Sequence, residues 1–341
     1  MPRTIGRVQI LVTGAAGFIG SNFVHYWLER HPDDGVVAYD FLTYAGNRDN
    51  LAGTEDRAPF VQGDIGDLDL AERTIREHGV DVVVNFAAES HNSLAVVDPG
   101  LFARTNVLGT QLLLEAARKA DVQRFHHIST CEVYGDLPLD SDDTFSEQSP
   151  YRPRTPYNAS KAAADHYVRA YHETFEVPVT ITNCSNNYGP YQFPEKVIPL
   201  FVTNALDDKP LPMYESTENR REWLHVRDHC RAIERVLDSG QIGETYNVGS
   251  GVEKSIAEIA DLVLELTGKP DDLKQIVPDR PGHDRRYLLD SSKLRRELDW
   301  EAEVDFDQGL RDTVDWYAER REWWEPLKAR LQVEETAWSK T

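Results

Sequence analysis

Residues 8–31 hold an apolar run, a glycine turn and a helical pattern with nothing between them. VQILVTG (8–14) passes into Gly14-Ala15-Ala16-Gly17-Phe18-Ile19-Gly20, and FIGSNFVHYWLERH (18–31) carries apolar residues at helical spacing. An apolar strand feeding a helix through a glycine turn can bury both its faces only inside a parallel sheet. The alternation recurs: VVAYD (36–40), FVQGD (60–64), VVVNFAA (82–88), RFHHIS (124–129) and VTITN (179–183) read as strands. Between them LDLAERTIREHG (68–79) and TQLLLEAARKA (110–120) read as helices. The expected fold is α/β, a doubly wound parallel sheet of Rossmann type, with ligands at the carboxyl ends of its strands.

After Asn183 the pattern changes. Residues 186–223 are rich in Pro, Asn and Tyr and read as loops around a short helix at 195–206. YNVGS (246–250) is strand-like and suits a return to the first sheet, and helical stretches follow at about 255–267 and 306–330. The expected division is a nucleotide-binding domain of 1–185, rejoined by about 224–252, and a smaller C-terminal substrate domain of about 186–223 and 253–330.

Charge then removes whole classes of function. The 58 acidic residues against 37 basic leave a net charge of −21, which opposes nucleic acid and anionic membrane surfaces alike. No run approaches the roughly 18 apolar residues of a membrane span, and MPRTIGRVQILVTG lacks the apolar core of a secretion signal. Cys131, Cys184 and Cys230 have no CxxC spacing, and His91 and His283 no ligand spacing, so no metal is expected. The expected location is the cytoplasm.

The glycines of the first turn let backbone approach a pyrophosphate, whose charge rests on the helix N-terminus. Gly14, Gly17, Phe18, Ile19 and Gly20 are therefore candidate cofactor contacts. Asp40 closes the second strand about twenty residues on, where an acid accepts from a ribose diol and repels a 2′-phosphate. That combination favours NAD over NADP. Asp64 and Ile65, after the third strand, suit the adenine edge or a simple turn.

Tyr157-Asn158-Ala159-Ser160-Lys161 opens a helix after the proline-broken YRPRTP. Residues four apart share a helical face, so Lys161 is expected to lower the pKa of Tyr157 and make it a base. Ser129-Thr130, ending the fifth strand, offers a hydroxyl to share that proton.

With these motifs in place, the chain resembles the extended short-chain dehydrogenase/reductases and, more closely, the dTDP-glucose 4,6-dehydratase family. The resembling segments are DFLTYAGNRDNL (40–51), AAESH (87–91), STCEVYG (129–135), YNASKAAADH (157–166), NCSNNYGPYQFPEKVIPL (183–200), NRREWLHVRDH (219–229) and DRPGHDRRY (279–287). The resemblance implies NAD oxidising C4 of a nucleotide sugar while Tyr157, Lys161 and Thr130 handle the hydroxyl proton. It implies Glu132 as the base at C5, an adjacent acid for the leaving water, and return of hydride to C6. It adds Ala87 to the cofactor contacts, and His91, Asn186, Glu195, Lys196, Arg221, Asn247, Arg280, His283 and Tyr287 to the substrate side. Arg221 and Arg280 suit a diphosphate, which a planar guanidinium grips bidentately. Arg220, Arg285 and Arg286 are open to the plainer reading of salt bridges. A homodimer is implied too, pairing the helical stretches 101–120 and 157–174 across a two-fold axis.

The chain departs from the family pattern twice. Cys131 stands where the family has Asp as the acid, and a thiol is a weak donor. After AAESH the family continues Val-Asp-Arg-Ser, whereas this chain has Asn92-Ser93-Leu94-Ala95, removing charged and hydroxyl contacts over the sugar. Other readings therefore stay open: a 5,6-dehydratase (STCE also resembles the UDP-N-acetylglucosamine enzyme of tunicamycin biosynthesis), a 4-epimerase, a decarboxylase, or an NAD-binding protein without catalysis.

Overall fold

The computed structural model describes residues 8–331. The opening MPRTIGR, read above as part of a segment without a secretion signal, lies outside those residues. Strands numbered along the chain are β1 (Gln9–Thr13), β2 (Gly35–Asp40), β3 (Phe60–Gln62), β4 (Val82–Asn85), β5 (Arg124–Thr130), β6 (Val179–Cys184), β7 (Asn186–Tyr188), β8 (Leu211–Tyr214), β9 (Arg220–His225), β10 (Thr245–Val248), β11 (Glu253–Ser255) and β12 (Lys274–Val277). Seven of them form one sheet in the order β10-β6-β5-β4-β1-β2-β3, every pair parallel. YNVGS does return to this sheet, as β10 beside β6.

Consecutive apolar residues are what both faces require. Val36, Ala38 and Val84 pack under α1 (Phe18–Arg30) and α8 (Val226–Ser239) on one face. Leu11, Val37, Val83 and Phe125 pack under α2 (Leu68–Glu77), α5 (Thr110–Lys119) and α6 (Pro156–Phe175) on the other. Strand order turns outward in both directions from β1, so a crevice opens at the carboxyl ends of β1 and β4.

The expected helix over 101–120 is three pieces: α4 (Pro99–Phe102), a π-helical turn (Ala103–Gly109) and α5. The wider turn sets the buried Asn106 amide against the backbone of Glu89, with bonds of 2.8 and 2.9 Å to its N–H and C=O. Just before it, α3 (Asn92–Val97) follows AAESH.

Beyond β6 the smaller lobe has a core of its own. Phe201, Trp223, Ile259, Val263, Leu310, Tyr317 and Trp324 join α7 (Val197–Leu206), α9 (Ile256–Thr267), α11 (Phe306–Glu319) and α12 (Arg321–Lys328) to the sheet β11-β9-β7. Ser255 and Glu258 close a reciprocal cap on α9, and Gly268 ends it in left-handed conformation. Short α10 (Ser292–Leu298) packs Leu294 and Leu298, with Trp300, against β10.

Two expectations are corrected here. Residues 186–223 are not mainly loop but carry β7, β8 and β9, strands too short or too polar to show alternation. The single helix over 306–330 breaks at Arg320, whose ψ of 43° leaves the helical region. No helix among the described residues is long and apolar enough to cross a membrane.

Candidate active site

A cavity of about 1300 Å³ opens at the carboxyl ends of the strands, between the large sheet and the smaller lobe. Its first end is made of backbone. Gly14 has φ +66°, and a Cβ there would sit 2.8 Å from the Ala87 nitrogen. A Cβ on Gly20 would lie 2.2 Å from the Gly14 carbonyl oxygen. Gly17 caps α1 without a side chain, so the first-turn amides of Phe18, Ile19 and Gly20 have no intrahelical or capping acceptor. These five residues line the cavity. A cradle of free N–H groups at the positive end of a helix fits a diphosphate.

Asp40 lines the cavity beside it, buried, with Oδ2 accepting from Ala16 N (2.9 Å) and Oδ1 from Leu42 N (2.7 Å). Burial raises its pKa, and each oxygen keeps a lone pair for a ribose hydroxyl. Asp64 is exposed and accepts from Gly66 N, while Ile65 is buried against Gly109; both line the cavity with Ala87. The residues present therefore fit a dinucleotide.

The middle of the cavity joins β5 to α6. Thr155 caps α6 by accepting from Asn158 N at 3.2 Å, Pro156 starts the helix, and Tyr157 and Lys161 follow one turn apart. Thr130, Glu132, Tyr157 and Lys161 all line the cavity. Burial and then neighbouring Glu132 push the Tyr157 phenol well up, against a smaller downward pull from its hydrogen bond with Thr130. The net shift is upward, opposite to the expectation from the Tyr157–Lys161 spacing, because burial outweighs any nearby positive charge. Lys161 is itself pushed down by burial, and its Nζ donates to the Ile128 carbonyl at 2.6 Å rather than to the phenol.

Burial, then Asp284, raise Glu132, while Arg280, a hydrogen bond from Asn92 and Arg221 oppose them. Cys131 does not line the cavity. It is 1 % exposed among Val133, Tyr134, Ala162, Tyr287 and Leu289, and burial pushes its thiol well up. Its expected role as proton donor is corrected on both counts, position and acidity.

The far end is made of side chains. Arg221 stacks on Tyr287 at 4.8 Å and places Nη2 3.0 Å from His283 Nε2. His283 is pushed down to about 2 by burial and by Arg221 and Arg280, so it accepts as neutral imidazole. Tyr287 donates to Asp284. Tyr44 donates to Glu195 Oε1 at 2.9 Å, and Glu195 Oε2 lies 3.7 Å from His91 Nε2. Burial pushes Glu195 up to about 7 and His91 down to about 3. Lys196 donates to the Ser90 carbonyl at 2.6 Å. Four cavity-lining residues carry a buried polar atom with no hydrogen-bond partner: Ser185 Oγ, Asn186 Oδ1, Glu195 Oε2 and Arg280 Nη1. Such atoms are what a polar ligand satisfies.

Asn247 is corrected as well. Opposite Asn183 on β6, it is fully buried away from the cavity, accepting from Tyr134 and donating to the Phe145 carbonyl. Arg285 and Arg286 pair with Asp136 and Glu253. Sequence reasoning missed Tyr44, Glu89, Asn92 and Thr155. Glu89 had a signal, an acid inside AAESH; Asn92 stood out only as a departure from the family pattern, and Thr155 had no signal, because their partners are distant in sequence.

Comparison with known proteins adds the context. The family model described as "GDP-mannose 4,6 dehydratase" matches residues 11–313. A dTDP-glucose 4,6-dehydratase of Xanthomonas campestris pv. campestris is 50% identical over 333 residues, covering 92% of this chain and 94% of that protein. One of Mycobacterium tuberculosis is 49% identical, covering 94% and 96%. The crystal structure of DesIV, a dTDP-glucose 4,6-dehydratase of Streptomyces venezuelae solved with NAD bound, superposes with a TM-score of 0.91 at 49% identity, covering 94% of this chain and 100% of that one. A UDP-glucose 4-epimerase of Thermotoga maritima gives a TM-score of 0.85 at 29% identity, covering 92% and 99%.

Proposed function

The chain belongs to the GDP-mannose 4,6 dehydratase family and within it to the dTDP-glucose 4,6-dehydratases, and from that membership we propose that it converts dTDP-glucose to dTDP-4-keto-6-deoxyglucose and water. One observation carries the reading. Thr130, Glu132, Tyr157 and Lys161 share a cavity whose ends are the glycine cradle and the arginines Arg221 and Arg280.

NAD bound along the cradle supplies the acceptor for the C4 hydrogen and its donor at C6. Gly14, Gly17, Phe18, Ile19 and Gly20 would hold its diphosphate, Asp40 its ribose diol, and Asp64, Ile65 and Ala87 the flanking surfaces. Tyr157, sharing a hydrogen bond with Thr130, takes the proton of the C4 hydroxyl. Lys161, anchored on Ile128, supplies the positive charge that a buried phenolate needs. A ketone at C4 acidifies the C5 hydrogen, which Glu132 removes. With Cys131 behind the wall, the proton for the departing C6 oxygen is the one Glu132 has just collected. One proton then enters C5 from solvent, and the one left on Tyr157 returns to solvent, so the cycle balances. Arg221 and Arg280 hold the substrate diphosphate; His91, Asn186, Glu195, Lys196, His283 and Tyr287 hold the sugar and base.

The same reading divides the chain into an NAD-binding unit of 1–185 with about 224–252, and a nucleotide-sugar unit of about 186–223 and 253–330. It also makes the protein a cytoplasmic homodimer. Tyr167 and Phe175, exposed on α6 at 44% and 50%, are the apolar surface such pairing would cover. Sedimentation of a monomer at micromolar concentration would overturn that part. The activity is tested by incubation with dTDP-glucose in D₂O. NMR should show a 4-ketone with one deuterium at C5; a 5,6-alkene or a C4 epimer would overturn the reading. A parallel panel of UDP- and GDP-sugars tests the base.

A further inference from the structure

We propose that Asn92 is a positioning residue for the elimination step, orienting the Glu132 carboxylate and tying it to the helix that carries Tyr157. The inference rests on the reading of Glu132 as the base at C5. Asn92 is the first residue of α3 and lines the cavity. Its Nδ2 donates to Glu132 Oε2 at 3.2 Å, and its Oδ1 accepts from Thr155 Oγ1 at 3.2 Å. Thr155, buried, accepts in turn from Asn158 N and so caps α6.

The direction of each bond follows from what each group can donate or accept. A hydroxyl has one proton. The Thr155 hydroxyl accepts from the Asn158 amide and donates its one proton to Asn92 Oδ1, and an ionised Glu132, which can only accept, requires the same orientation of the amide. That leaves Nδ2 toward Glu132; the flipped amide would set an oxygen against the carboxylate.

Glu132 needs such a donor because of its surroundings. Asp284 faces it as a like charge, with Arg280 and Arg221 opposing, and Cys131, Tyr157 and Tyr287 crowd it without charge. Burial raises its pKa, and a hydrogen bond to the ionised form acts the other way. Removing Asn92 therefore moves Glu132 further up, so the base form is reached only at higher pH.

The test separates two signals on rapid mixing of holoenzyme with dTDP-glucose. Growth of reduced-nicotinamide absorbance reports C4 oxidation, and loss of label from C5-deuterated substrate reports proton removal by Glu132. In Asn92→Ala the first should keep its rate, while the second slows by about 10- to 100-fold near neutral pH, the worth of a hydrogen bond to a charged group. The deficit should shrink as pH rises. Thr155→Val should act in the same direction and Thr155→Ser should restore the wild-type profile. A deficit independent of pH, equal slowing of both signals, or no slowing would overturn the inference. Wild-type enzyme giving neither signal would instead overturn the assignment of Glu132 and of the reaction.

Discussion

At one end of the cavity the chain presents backbone: glycines at 14, 17 and 20, amides of a first helical turn, and an Asp40 already held by two main-chain N–H groups. At the other it presents side chains drawn from α3, the Tyr44 loop, the 195–196 loop, β9 and the 280–287 loop, several with an atom left unpartnered. The core of the first end is built within some thirty residues of sequence, with Asp64, Ile65 and Ala87 flanking it, and its acids are Asp40 and Asp64. The second exists only after the smaller lobe has folded over the sheet, and carries buried acids and imidazoles with displaced pKa values. A backbone cradle is fixed in shape and insensitive to pH; a side-chain cradle is selective and is not.

Where the ends meet, the effects should be largest. Tyr157→Phe and Glu132→Gln should each lower turnover by about 10²- to 10⁴-fold, the range of general acid–base catalysis. They should differ in kind. Tyr157→Phe stops reduction of the nicotinamide, whereas Glu132→Gln permits it and stops exchange at C5. NAD affinity should survive both changes, and its loss in either would mean that the two ends are not separable.

Next is the backbone end. The Cβ of Gly20→Ala would meet the Gly14 carbonyl oxygen at 2.2 Å, which the turn can relieve only by shifting. Overpacking of this kind costs about 1–3 kcal/mol, and here it should appear as weaker NAD binding, measured by titration of apo-protein. Binding of dTDP should stay near wild type. Unchanged NAD affinity would show that the turn is more pliant than its contacts suggest.

What was legible in the sequence follows the same division. The parallel sheet could be read because strands buried on both faces carry consecutive apolar residues, as VVAY does in β2. The glycine cradle and the Tyr157–Lys161 pair could be read because both are local. β7, with three residues, shows no periodicity to read, and neither does the break of the C-terminal helix at Arg320. Asn247 was assigned to the substrate through likeness of motif, but strand register turns it toward Tyr134. The Asn92–Glu132 bond joins residues forty apart in sequence, and nothing in either segment announces it. Lys161 was placed on the right face, yet its charge goes to a carbonyl of β5, a partner the helix alone could not reveal.

The side-chain end should titrate. Glu195, beside Tyr44, Glu89, His91 and Lys196, ionises only at about 7 because burial penalises its charge. Raised above the ordinary 4.5, it contributes stability below that value which is lost as pH rises through 7. A second negative charge next to an anionic substrate acts in the same direction. We expect kcat/KM for the nucleotide sugar to fall by about tenfold per pH unit at most as pH passes 7. Glu195→Gln should flatten that fall, with the pH dependence of NAD binding unaltered. A profile identical in wild type and variant would assign the neutral-pH ionisation elsewhere.

The smallest effect belongs to Cys131, and it separates likeness of sequence from chemistry. The thiol stands where the resemblance of sequence implies an acid, yet it packs against Val133, Tyr134, Ala162, Tyr287 and Leu289 rather than facing the cavity. Burial pushes its pKa well up, so it surrenders a proton less readily than a free thiol. Neither property suits protonation of a leaving hydroxyl. Cys131→Ala should therefore keep turnover within a few-fold of wild type, the small residual loss reflecting a slightly emptied pocket behind Glu132. Cys131→Asp should be worse, because it sets a second carboxylate in an apolar cluster next to Glu132 and raises both. Turnover of both variants is measured against dTDP-glucose at saturating NAD. A loss greater than tenfold in Cys131→Ala, about 1.4 kcal/mol of transition-state stabilisation, would put the thiol back into the reaction and remove Glu132 as the source of the leaving group's proton.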